Sequence, residues 1–132
     1  MSFLLDTDIC SAYLKGNHGV GNRVIQYGGQ LHVSAITAGE LYTWAFRTKA
    51  SPKRLTELLA FFNDVRILEV NETVARQFGE IHAALFDAGR PTPDMDLMNA
   101  ATALVHGLTM VTHNTQDYAD VPGLSVVDWL NP

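Results

Sequence analysis

Apolar and polar positions along the chain change between two patterns, and the first change is abrupt. Phe3-Leu4-Leu5 runs straight into Asp6-Thr7-Asp8, as expected of a strand that is buried on both faces and ends at a functional edge. A short helix follows from about Asp8 to Leu14, with Asp8 suited to cap it. The cluster Gly16-Asn17-His18-Gly19 reads as a turn, and a second helix covers Asn22 to Tyr27 before Gly28-Gly29. Leu31 to Ser34 repeats the strand, and Ala35 to Arg47 the helix. Pro52 opens a helix to about Phe62, with Leu55, Leu58, Leu59 and Phe62 at helical spacing. Val65 to Val70 is a third strand. Asn71 and Thr73 then cap a long helix to about Ala88 whose stripe is Val74, Phe78, Ile81 and Leu85. Gly89-Arg90-Pro91-Thr92-Pro93 breaks it, a helix runs from Asp94 to Val105, and Leu108 to Thr112 forms a fourth strand. Leu124 to Val127 is an edge strand closed by Trp129.

Strands alternating with helices, without repeats or a long linker, predict one α/β domain over residues 1–132 with a mainly parallel sheet. Right-handed crossovers put helices on both faces and gather the carboxyl ends of the strands at one edge, where ligands of such sheets bind.

Composition narrows the class. The chain has 132 residues, 47% hydrophobic and 17% charged, which is globular. No basic, apolar leader opens it, and no apolar run approaches the roughly 18 residues of a membrane helix, so a soluble, cytoplasmic protein is expected. The single cysteine, Cys10, lies in an apolar helix turn and reads as packing. A net charge of −5 argues against a broad basic surface for nucleic acid, although it does not exclude a nuclease. Arg47, Lys49, Lys53 and Arg54 nevertheless concentrate positive charge in one segment. They read either as a solvated connection or as a contact for RNA or a partner protein.

Four segments each deliver an acid to the predicted edge: Asp6, Glu40, Asp96 and Asp117. Each has a structural alternative. Asp6 could cap a helix, Glu40 fits the capping box Thr37-Ala38-Gly39-Glu40, and Asp94 and Asp96 suit the first turn of a helix. Asp96, however, heads a row of small residues, Ala100, Ala103 and Gly107, that lets its helix lie close to the sheet. Asp94 is rotated from it by about 200° and is left as the cap. The caps do not explain convergence. Carboxylates without basic partners stay together only when some are protonated or a divalent cation neutralises them. Oxygen ligands suit Mg²⁺ or Mn²⁺. With no HxxxH or CxxC pairing among His18, His32, His82, His106 and His113, zinc does not fit.

The stretches LLDTDICSAYL (4–14), VSAITAGEL (33–41), GRPTPDMDLMNAATAL (89–104) and LTMVTHNTQDYADVPGLSVVDW (108–129) resemble PIN-domain ribonucleases, in particular the VapC-type toxins of bacterial toxin–antitoxin pairs. The resemblance spans essentially the whole chain. It implies a three-layer α/β/α fold with strand order 3-2-1-4-5 and an acidic site of Asp6, Glu40, Asp96 and Asp117, supported by Thr112 and Asn114. It also implies Mg²⁺- or Mn²⁺-dependent endonucleolytic RNA cleavage leaving 5′-phosphate and 3′-hydroxyl ends. The implied partners are a VapB-type antitoxin and a second copy of the chain, in a homodimer and a toxin–antitoxin hetero-oligomer. The antitoxin is expected on the helices of Trp44, Phe61 and Phe62. Trp44 stands where such toxins often have Gly, and reads as core or, preferably, as an RNA or antitoxin contact. Asn99 stands where an apolar residue such as Ile is usual, with consequences for local packing.

Two other classes share some of these features. Apolar residues before Asp6-Thr7-Asp8 look like the nucleophile motif of haloacid-dehalogenase-type phosphatases, but Cys10 stands where that motif has Thr and no suitable later Lys is evident. The other is a PIN-like RNA- or protein-binding module without activity, against which the presence of all four acids argues.

Overall fold

The computed structural model describes residues 1–132. The apolar run at the start forms β1 (Phe3–Leu5), flanked on both sides by parallel neighbours. Phe3 and Leu4 pair with Leu31 and His32 of β2 (Leu31–Ser34); Phe3, Leu4 and Leu5 pair with Thr109, Met110 and Val111 of β4 (Thr109–Val111). With β3 (Arg66–Leu68) and β5 (Val126–Val127) at the edges, the five-stranded parallel sheet has the order β3-β2-β1-β4-β5.

Side chains on a strand alternate between faces. Phe3 and Leu5 therefore enter one core with Ile9, Val24, Leu41, Leu58, Phe61 and Trp129. Leu4 enters the other with Val74, Ile81, Leu97, Ala100 and Met110. The first core packs α1 (Thr7–Leu14), α2 (His18–Gln26), α3 (Ala35–Phe46) and α4 (Lys53–Asp64). The second packs α5 (Glu72–Asp87) and α6 (Asp94–His106). No more than 1% of Leu4 or Leu5 is exposed, and burying each side chain contributes about 1.5–3 kcal/mol. The covering helices change face between β1 and β4, so the sheet's switch point lies where Asp6 emerges.

Several helix starts differ from the sequence expectation. Asp6, not Asp8, caps α1: its side chain accepts the Thr7 amide. The presumed turn at residues 16–19 opens α2, whose first turn begins at His18 under an Asn17 cap. Ser34 caps α3, so Glu40 lies well inside the helix and makes no capping box. Asp94 does not cap α6, because the N-cap is Pro93 and no side chain accepts there. Ala100 and Ala103 are fully buried as their spacing implied, but Gly107 is the left-handed C-cap at φ 65°, a conformation that favours glycine, rather than another helical packing residue. β3 is shorter than its apolar stretch, and Leu59 is exposed while Phe61 enters the core. No helix is long and apolar enough to cross a membrane.

Candidate active site

Asp6 follows β1 directly, and its backbone amide continues the sheet by donating to Val111 O. Only 7% of the residue is exposed. A buried carboxylate needs hydrogen-bond donors, and four converge on this one. Oδ1 accepts the Thr7 amide at 2.9 Å and Asn99 Nδ2 at 3.3 Å. Oδ2 accepts the hydroxyls of Thr112 at 2.9 Å and Tyr118 at 3.0 Å.

Asp96 lies in the first turn of α6, half-buried, with Oδ1 3.4 Å from the same Tyr118 hydroxyl. Burial, then the charges of Asp6, Asp117 and Glu40, push its carboxyl up to about 6, against the pull of that hydroxyl. Burial and the charges of Asp6 and Asp96 drive the Tyr118 phenol far above its ordinary range, so its hydroxyl keeps its proton. Glu40 comes from the middle of α3, where Thr7 Oγ1 donates to Oε1 at 2.6 Å. An all-polar cleft of about 300 Å³ is lined by Asp6, Thr7, Asp8, Ser11, Glu40, Asp96 and Asn114.

Asp117 does not line that cleft. It is exposed on the 3₁₀ helix Thr115–Tyr118 and lines a neighbouring recess with His113, Asn114, Thr115 and Gln116; Asn114 is common to both. Its charge still acts on Asp96. Thr112 and Asn114 are joined as a support, because the Thr112 hydroxyl that donates to Asp6 accepts the Asn114 amide at 3.1 Å. Asp8 also takes part in holding this loop. Oδ1 accepts the Ile9 amide at 2.8 Å and Oδ2 the His113 amide at 2.9 Å, while burial and Asp6 raise its carboxyl.

Asn99, Tyr118, Thr7 and Ser34 were not recognised as parts of the site from the sequence. Asn99 had a signal: it lies one helical turn beyond Asp96, on nearly the same face, as a polar residue within an apolar row. Tyr118 follows Asp117 but gives no sign in sequence that its hydroxyl turns inward. Cys10 is buried, with its thiol pushed well up by burial and by Asp6 and Asp8, and is packing as expected.

None of the four cations lines the acidic cleft. Arg47, Lys49 and Lys53 are exposed at the α3–α4 connection. Arg54 lies 5.0 Å above the half-buried Trp44 ring and donates to Trp44 O at 3.1 Å. Trp44 thus packs on the first core beneath Arg54. Phe61 is core, so the exposed apolar side chains of these helices are Phe46 and Leu59.

The side chains around the cleft offer carboxylate and hydroxyl oxygens and the Asn114 amide, with no basic group among them, which suits a hard divalent cation. No three Asp, Glu, His or Cys side chains form a ready ligand set. Mg²⁺ commonly needs only one or two carboxylates, with water and phosphate oxygens completing its shell.

The PIN-domain family profile matches residues 3–124. The chain belongs to the PIN-domain family. Within it the chain is of the VapC type, being 32% identical over 130 residues to the tRNA(fMet)-specific endonuclease VapC of Shigella flexneri, with 98% of each covered. It is 28% identical over 131 residues to ribonuclease VapC2 of Haemophilus influenzae, covering 98% of this chain and 99% of that one. The solved DNA-bound VapBC of Salmonella typhimurium superposes with a TM-score of 0.92 at 28% identity, covering 98% of both chains. VapBC-1 from nontypeable Haemophilus influenzae gives 0.85 at 28%, covering 98% of this chain and 99% of that one. Both superpositions extend over nearly the whole of this chain, whose sheet order β3-β2-β1-β4-β5 is that of a single PIN domain.

Proposed function

We propose that this PIN domain is the toxin of a VapBC-type pair and an endoribonuclease that hydrolyses RNA phosphodiester bonds with Mg²⁺ or Mn²⁺. The observation that carries the reading is the convergence of Asp6, Glu40 and Asp96 on one cleft that no basic side chain lines, where burial and the neighbouring carboxylates raise the Asp96 carboxyl. Asp6 and Asp96 would hold the metal most directly, with Asp117 recruiting or completing it. When bound, the divalent cation offsets charge on the phosphoryl group and makes water a better nucleophile at neutral pH.

The protein's own part is orientation and proton handling. Glu40 has Oε1 fixed by Thr7, which leaves Oε2 to align a water molecule and take its proton as oxygen attacks phosphorus. The bond from phosphorus to the 3′ oxygen breaks and that oxygen takes a proton from solvent water, giving 5′-phosphate and 3′-hydroxyl ends. Thr112, through Asn114, ties the loop of Asp117 to Asp6. Arg47, which ends α3, and Lys49 and Lys53 beyond it would offer positive charge to RNA phosphates.

A relative named for tRNA(fMet) cleavage makes transfer RNA the first substrate to try. Solved relatives that are VapBC complexes support a VapB-type antitoxin as partner; a toxin dimer inside that assembly is part of the proposal. The deciding experiment expresses wild type and Asp96→Asn and maps new RNA 5′ ends, then repeats cleavage in EDTA with purified protein. New ends are expected from the wild type alone. Full activity in EDTA or in the variant would sink the proposal.

A further inference from the structure

Asn99 is 2% exposed on α6, between Leu97 and Ala100–Ala101 of the second core, where an amide has no packing reason to be. Both ends of that amide are committed. Ser34 Oγ accepts the Thr37 amide at 3.1 Å, so its proton is free for Asn99 Oδ1. That contact fixes the orientation of the amide and turns Nδ2 toward Asp6 Oδ1 at 3.3 Å and Thr37 Oγ1 at 3.4 Å.

Three elements that bear site acids meet at this one side chain. Asp6 closes β1, Ser34 caps the helix of Glu40, and Asn99 is one turn from Asp96. We propose that Asn99 is a positioning residue: it locks Asp6 against the helices of Glu40 and Asp96, so that the carboxylates meet a divalent cation already oriented. This rests on the reading of Asp6 and Asp96 as cation ligands. Groups that orient metal ligands in this way typically matter about 10–100-fold in metal affinity.

The test titrates Mn²⁺ alone into the full-length, metal-stripped protein by calorimetry, alongside thermal unfolding in EDTA. Asn99→Leu keeps the size and removes the amide; it should fold in EDTA yet bind Mn²⁺ about 10–100-fold more weakly, with RNA cleavage recovering at high Mn²⁺. Ser34→Ala releases Asn99 Oδ1 and should weaken Mn²⁺ binding in the same direction. In the double variant the two losses should not add, because both cut one link. Wild-type affinity in Asn99→Leu, with Asp96→Asn losing the ion, would overturn the role of Asn99 while leaving the metal site standing. Additive losses would do the same. If Asn99→Leu fails to fold, unchanged Mn²⁺ affinity in Ser34→Ala overturns the proposal. A wild type that binds no Mn²⁺ overturns the metal-site reading and this inference together.

Discussion

Asp6 and Asp117 both follow a strand of the sheet, β1 and β4, yet they end in opposite surroundings. Asp6 is buried, continues the sheet through its backbone and satisfies four donors; Asp117 stands exposed on a 3₁₀ turn and reaches Asp96 only through its charge. A carboxylate that must not move is expensive to bury, so the fold surrounds it with hydroxyls and amides from distant parts of the chain. An acid that acts at longer range needs no such housing.

Substitutions should separate the two. The largest effect is on cleavage: Asp6→Asn should lower the RNA cleavage rate by roughly 10³-fold, and Asp117→Asn by about tenfold. Equal losses in single-turnover assays would erase the distinction. Stability is next. Asp6→Ala removes the α1 cap and leaves buried donors without an acceptor, for a loss of about 2 kcal/mol in urea unfolding, whereas Asp117→Ala should stay within about 0.5 kcal/mol. Tyr118→Phe keeps the ring in the core and removes one donor from Asp6, so about 1 kcal/mol is expected in the same assay.

The smallest effect is a pH slope. The Asp96 carboxyl is raised in the folded protein to about 6 from an ordinary 3.8, so the folded chain holds the proton more tightly than the unfolded one. In EDTA this contribution favours folding as pH falls toward 4 and is lost as pH rises through about 6; Asp96→Asn should flatten it in urea midpoints. With Mn²⁺ present the sign reverses, since holding the ion requires the ionised acid. Mn²⁺ affinity should therefore fall below about pH 6.

Much of the fold was legible because its strands are apolar runs bounded by turn residues, and because Ala100 and Ala103 mark a helix face packed close. Asp6, Glu40 and Asp96 stood out because local capping did not account for their shared edge. Asn71 caps its helix as expected, but the caps near the acids were misread. Asp6 both caps α1 and lines the acidic cleft, and a local rule assigns the cap to one acid of the pair without knowing that the other bonds His113. Ser34 displaced the capping box of Glu40 because the helix starts directly where β2 ends. Asn99 and Tyr118 remained hidden because their partner, Asp6, lies 93 and 112 positions away. Periodicity reports which face a side chain takes and says nothing of which distant atom waits there.

That separation has a consequence for synthesis. A chain emerging from the ribosome at roughly 5–20 residues per second presents Asp6 well before Tyr118, 112 positions further on. Until β4 has paired beside β1, the hydroxyls of Thr112 and Tyr118 cannot reach Asp6, and a nascent chain ending at Val111 lacks both donors. The donor set of the Asp6 carboxylate is thus complete only once residues 112–118 have been made, a timing built into the order of β1 and β4 along the chain.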